Sequence, residues 1–229
     1  NGNSWIRLGG ENDIVGASDR DYTGREISLN SDGTIIAVHD YGYRVDYMNQ
    51  GRVRVFKYNG SSWKPLGSET VMVGGMSMRA GHGVAINKKG DIVAFSEPIY
   101  SSSIGRVRVF QYNGSSWNPL GNSEGIINYG GNTSGLMDVS INDDGTIIAF
   151  TDGYYGSPSF YGRVRIYKYN GSSWSLYQNS TNFVGSSTSD KTPTISLSST
   201  GNKIIIGQPL YNSNSGRARV FQLDNLTNV

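Results

Sequence analysis

Asp40, Glu97 and Asp152, with Gln208 as a fourth member, recur at similar spacing, each at the end of an apolar run. Three carboxylates set around one axis could hold a cation at the mouth of a central channel. The other reading is that they cap loop backbone or pair with arginine, and calcium's need for six or more oxygens gives that reading weight. The arginines come in alternating pairs: Arg52 and Arg54, Arg106 and Arg108, Arg163 and Arg165, Arg217 and Arg219. Alternation puts both members of a pair on one face of a strand. There they either bind anionic groups or stack on aromatic rings and tie neighbouring units together. Ten of the 15 tyrosines lie in long segments rich in Gly, Ser and Asn. That mixture resembles an antibody paratope, in which tyrosine supplies contact area at low entropic cost. Tyr41, Tyr43, Tyr47, Tyr100, Tyr154, Tyr155, Tyr161 and Tyr211 are therefore the candidate binding residues, with plugging of junctions as the alternative role. Trp5, Trp63, Trp117 and Trp174 recur once per unit, which suits core packing or, alternatively, repeated sugar platforms.

Catalysis has little support. His39 and His82 are the only histidines, and cysteine is absent. Neither histidine has a metal-ligand spacing, and no G-x-S-x-G elbow occurs. The expectation is a protein that is not an enzyme and needs no cofactor beyond the channel cation just considered. Asn59, Asn113, Asn132, Asn170, Asn179 and Asn225 fit the glycosylation acceptor pattern. For the three in Asn-Gly, a type I′ hairpin turn is a sufficient reason for the asparagine. A net charge of +2 gives no argument for nucleic acid, and no apolar run is long enough to insert in a membrane.

The elements that must position these residues are repeats. GRVRVFKYNGSSWKPLG begins at Gly51 and returns from Gly105 and, with changes, from Gly162. A fourth copy is split between GRARVFQLDN near the C-terminus and NGNSWIRLGG at the N-terminus. Ahead of each copy lie an alternating strand, a turn ending in Gly33, Gly90, Gly145 or Gly201, and a β-branched strand. The turn glycines are 57, 55 and 56 residues apart. Four antiparallel strands in each of four units predict an all-β, four-bladed β-propeller spanning residues 1–229. The blades fall at about 25–67, 83–121, 136–178, and 193–225 plus 1–10, with the N-terminal strand closing the last blade and the ring.

The pattern of a strand, DG, TIIAV and then GRVRVFxYNGSSWxxLG resembles the repeats of FG-GAP and integrin-α-type propellers of secreted or surface proteins. It covers essentially the whole chain. Such repeats often hold calcium in a D-x-D-x-D-G loop, whereas the corresponding turns here read LNSDG, INKKG, INDDG and LSSTG. The calcium sites are not carried over. The resemblance implies an extracellular protein, at a cell or virion surface. The leading expectation is a recognition or adhesion module that binds a protein or glycan partner through the tyrosine-rich loop face. The alternatives are a self-assembling structural subunit of an extracellular filament, sheath or coat, and a carbohydrate-binding lectin.

Overall fold

The computed structural model describes residues 4–10, 13–127, 136–153, 155, 161–177, 183, 185 and 194–223. The fold is all-β, with antiparallel sheets succeeding one another along the chain. The first sheet contains β1 (Thr23–Leu29), β2 (Ile35–Asp40), β3 (Arg52–Tyr58) and β4 (Trp63–Pro65), side by side in that order. The second repeats it with β5 (Val84–Ile86), β6 (Ile92–Glu97), β7 (Arg106–Tyr112) and β8 (Trp117–Pro119), and adds a short fifth strand, Ile126–Ile127, paired with the start of β7. The third uses β9 (Leu136–Ile141), β10 (Ile147–Asp152), β11 (Arg163–Tyr169) and β12 (Trp174–Leu176). The fourth holds three strands: β13 (Thr194–Leu197), β14 (Lys203–Gln208) and β15 (Arg217–Gln222). A two-stranded ribbon, Arg44–Val45 with Met48–Asn49, stands apart in the loop after β2.

β2, β6 and β10 are almost wholly buried. β6 and β10 read as continuous apolar runs because a neighbouring sheet covers them on each side, while β2 has such a neighbour on one side. The core therefore lies between sheets. Ala37, Val53 and Val55 of the first sheet meet Val93, Phe95 and Phe110 of the second. Ala94, Val107 and Val109 of the second meet Ile148, Phe150 and Tyr167 of the third. Ala149 and Val164 of the third meet Ile204 and Ile206 of the fourth. A small side chain opposite a large ring recurs at the first two interfaces, so the sheets interdigitate at close-packed density.

Backbone bonds tie the turns together in the same sequence: Ser31 N–H donates to the Lys88 carbonyl (3.2 Å), Lys88 to Asp143 (3.2 Å) and Asp143 to Ser199 (2.8 Å). The tryptophans stitch the rim. Trp117 Nε1 donates to the Leu66 carbonyl at 2.6 Å and Trp174 Nε1 to the Leu120 carbonyl at 2.9 Å. Each ring edge occupies the space beside the next residue, Gly67 or Gly121, where a Cβ would come within 2.7 or 2.8 Å of it.

Two expectations need correcting. Residues 4–10 form no strand, Trp5 is fully exposed, and among the described residues the fourth sheet has three strands where the N-terminal segment was expected to supply a fourth. The tryptophan seat gives a physical reason. The Leu-Gly pair that receives Trp117 and Trp174 is Tyr177-Gln178 in the third repeat. The third repeat thus lacks the glycine that leaves room for a tryptophan ring edge at Gly67 and Gly121. The Asn-Gly hairpins also differ from a two-residue type I′ turn. Trp63 pairs with Tyr58 across a four-residue loop in which, of Asn59 and Gly60, only the glycine has positive φ (98°). The Asn59 side-chain oxygen accepts the amides of Ser61 (3.0 Å) and Ser62 (2.9 Å), closing the loop without a left-handed asparagine.

Candidate functional site

The strand register decides what the recurring charged residues do. Asp40 lies opposite Arg52, Glu97 opposite Arg106, Asp152 opposite Arg163 and Gln208 opposite Arg217. The three carboxylates are sealed from solvent. Asp40 Oδ2 accepts from Arg52 Nε (2.6 Å) and Arg54 Nε (2.7 Å), while Oδ1 accepts from Arg54 Nη2 (2.9 Å) and Thr23 Oγ1 (2.6 Å). Glu97 pairs with Arg106, and with Arg108 at 3.4 Å. Asp152 pairs with Arg163 at 3.2 Å, and Gln208 accepts from Arg217 at 2.7 Å. A tyrosine then covers the first arginine of each pair. Tyr43 lies 4.1 Å from Arg52, Tyr100 4.0 Å from Arg106, Tyr155 4.0 Å from Arg163 and Tyr211 3.8 Å from Arg217. Two of the second arginines reach the segment that precedes their own sheet, Arg54 donating to the Val15 carbonyl ahead of the first sheet and Arg108 to the Val73 carbonyl between the first and second. Each sheet thus carries a carboxylate or amide, an arginine and a tyrosine as one clamp. Four of the candidate binding tyrosines are the lids of these clamps. Among the described residues, no three of His, Cys, Asp and Glu come together as a metal site.

One place breaks the repetition. Beside the start of β1, Tyr22, Thr23, Gly24, Arg25 and Tyr41 line an open groove of about 570 Å³, within the usual range of small-ligand sites. Gly42 makes it possible. A Cβ there would fall 1.8 Å from the Arg20 carbonyl, so only glycine lets the preceding connection close onto this loop. The Gly42 amide bonds the Asp21 carbonyl at 2.9 Å. Tyr22 then sits with φ at 48°, a left-handed conformation that is unusual for a bulky residue and typical of functional loops. Its ring meets Tyr41 edge-on at 6.4 Å. The Arg25 guanidinium lies 4.2 Å from the Tyr41 centroid.

Beneath the groove, Tyr41 also touches both histidines of the chain, His39 at 5.8 Å and His82 at 6.2 Å. His39 is sealed from solvent, and burial, seconded by His82, pushes its pKa down to about 4. Burial and then the charges of Arg25 and Arg79 also lower His82. Both rings are therefore neutral near pH 7, and Arg25 is the charge lining the groove. Gly81 makes room for the buried ring, since a Cβ there would lie 2.6 Å from it.

Of the remaining candidates, Tyr47 is fully exposed at the tip of the Arg44–Asn49 ribbon. The Tyr161 amide bonds the Tyr155 carbonyl at 2.8 Å. Tyr154, Asn132, Asn179 and Asn225 lie outside the described residues. Asn59, Asn113 and Asn170 are exposed at the hairpin tips. Sequence reasoning missed Arg25 and both histidines as part of a site. The signal was departure from the repeat: His39 stands where the other units have Ser96, Thr151 and Gly207.

No protein-family model matches the chain, and no curated protein sequence matches it. Solved structures do. Periplasmic gluconolactonase of Pseudomonas aeruginosa is similar with a TM-score of 0.55 at 12% identity, over 93% of this chain and 60% of that one. A putative TolB of Agrobacterium tumefaciens is similar with a TM-score of 0.52 at 9% identity, over 90% and 60%. These are β-propeller proteins, and likeness at such identity speaks for the fold alone. The chain spans 60% of the length of each.

Proposed function

We propose that the chain is a non-enzymatic recognition module of four propeller blades, acting outside the cell or at a cell or virion surface, that binds a glycan or protein partner on its long-loop face. The groove at Tyr22, Arg25 and Tyr41 carries this reading. It offers two aromatic faces and a guanidinium whose planar edge is suited to a carboxylate or sulfate group. The non-enzymatic part rests on the fate of the candidate acids and bases. Asp40, Glu97 and Asp152 are saturated by arginine and buried, and His39 has no route to a substrate. The repeats' resemblance to FG-GAP and integrin-α-type propellers belongs to the same reading. A lectin is its narrower form, in which the groove stacks on a sugar ring.

The test is an array of neutral, carboxylated and sulfated glycans alongside acidic and basic peptides. The reading expects acidic glycans or peptides to be retained over neutral and basic ones. Equal retention of all classes counts against it. A second reading, a structural subunit of an extracellular assembly, is favoured by a separate observation: large apolar side chains are exposed on the two end sheets.

A further inference from the structure

We propose that a second copy of this chain docks head to tail on the sheet array, the outer face of the fourth sheet of one molecule against the β1 side of another. The proposal rests on the three internal interfaces and not on the groove. At each of them one sheet presents its forward face and the next its backward face. Val84 and Ile86, on the backward face of the second sheet, are 8% and 7% exposed, and Val139 of the third is 5% exposed. The same positions in the first sheet are Ile27 and Leu29, which have no sheet before them among the described residues and are 61% and 55% exposed. At the other end, Ile205 and Val220 on the forward face of the fourth sheet are 42% and 68% exposed. The same forward face is buried at Ala37 and Val55 and at Ala94 and Val109, and in the third sheet Ala149 and Val164 are buried and Ile166 is half-buried. The array thus ends in two unlike apolar faces, each of the kind that pairs with the other inside the molecule.

Register and polar groups match as well. Ile35, Ile92 and Ile147 each lie against the turn glycine of the following sheet, Gly90, Gly145 and Gly201. Lys203 holds the fourth forward position, and Gly33 is the turn glycine left over. Next to Gly33 stands Asp32, an exposed carboxylate held below the usual range by its bonds from Thr34. Docking in the internal register brings the Lys203 ammonium to this carboxylate. It also brings the Ser196 hydroxyl, now exposed, to the Leu29 amide. Ser28 accepts from Ile86 N–H (3.1 Å) and Ser140 from Leu197 N–H (2.9 Å) in the same seat. Ser199 N–H then meets the Ser31 carbonyl, extending the series of turn bonds. The fourth forward face has Ile205 where the others have alanine, and Ala218 where they have Val53, Val107 and Val164. One side chain is larger and the other smaller, so the face keeps about the same volume. Because the two surfaces differ, the contact is heterologous. It closes into a ring or grows according to the curvature of the array.

The experiment uses two variants of the full chain, Ile27→Asp and Val220→Asp. Each places a charge on a side chain already exposed in the single molecule. Sedimentation velocity over a dilution series reads the result. Wild type is expected to gain mass with concentration, to two chains or more. Each variant alone is expected to stay at one chain. An equal mixture is expected to give a two-chain species and nothing larger, because one intact head then meets one intact tail. Wild type at one chain throughout, or a mixture that stays at one chain, overturns the proposal. So does a fall in melting temperature of either variant in dilute solution, which means that the two faces close on each other within one chain.

Discussion

His39 is a histidine placed where it cannot hold a proton, and lowering the pH should expose the consequence. The unfolded chain binds a proton on this ring near the ordinary 6.5, the folded one at about 4. Between those values the unfolded state carries a proton that the folded state lacks, so stability falls as the pH falls through this window. A tenfold difference in proton affinity is worth about 1.4 kcal/mol, so the full loss below pH 4 is about 3 kcal/mol, and about 2 kcal/mol is gone by pH 5. Other groups titrate in the same range, so the control is His39→Thr, the residue type that the third repeat carries at Thr151. Urea unfolding followed by tryptophan fluorescence at pH 7.5 and pH 5.0 gives the two differences. Wild type should lose about 2 kcal/mol more than the variant over that interval. Equal losses would mean that His39 takes up a proton in the folded state and that its burial has been misjudged.

Two further perturbations test the clamps and the tryptophan seats. Asp40→Ala leaves Arg52 and Arg54 buried without their shared carboxylate and should cost roughly 3–5 kcal/mol in urea unfolding; a loss below about 1 kcal/mol would place the pair with ordinary surface ion pairs. Gly121→Ala combines a left-handed backbone (φ 88°) with a Cβ 2.8 Å from Trp174, whereas Gly60→Ala (φ 98°) meets no atom within 4 Å. The second change should cost about 1–2 kcal/mol from the backbone alone and the first about 1–3 kcal/mol more, so equal destabilisation argues against a filled tryptophan seat.

The sheets were legible in the sequence because each repeated side chain fills the same seat in successive units. Ile35-Ile36-Ala37-Val38, Ile92-Val93-Ala94-Phe95 and Ile147-Ile148-Ala149-Phe150 read the same way, and Gly33, Gly90, Gly145 and Gly201 all turn with φ between 72° and 79°. The clamps were half legible. Carboxylate, arginine pair and tyrosine were each singled out, but only the register of Asp40 opposite Arg52 joins them into one structure. Loop tyrosines look alike in composition, yet Tyr43 and Tyr100 cover arginines while Tyr22 and Tyr41 line a groove. The place of residues 4–10 was not legible, because a strand-like sequence is necessary for pairing but a receiving seat is also required. The groove was hardest to see. It depends on Gly42 admitting a close backbone approach and on residues, such as His39, that occur in one repeat only.

The claim that the groove is the recognition site is tested most directly by calorimetric titration of the strongest array ligand into wild type, Arg25→Gln and Tyr22→Ala. Both residues are exposed, so neither change should move the melting temperature. Loss of a charge-assisted hydrogen bond or of an aromatic face should weaken binding about tenfold or more. Binding that stays at the wild-type level in both variants would contradict the account and move recognition elsewhere on the molecule.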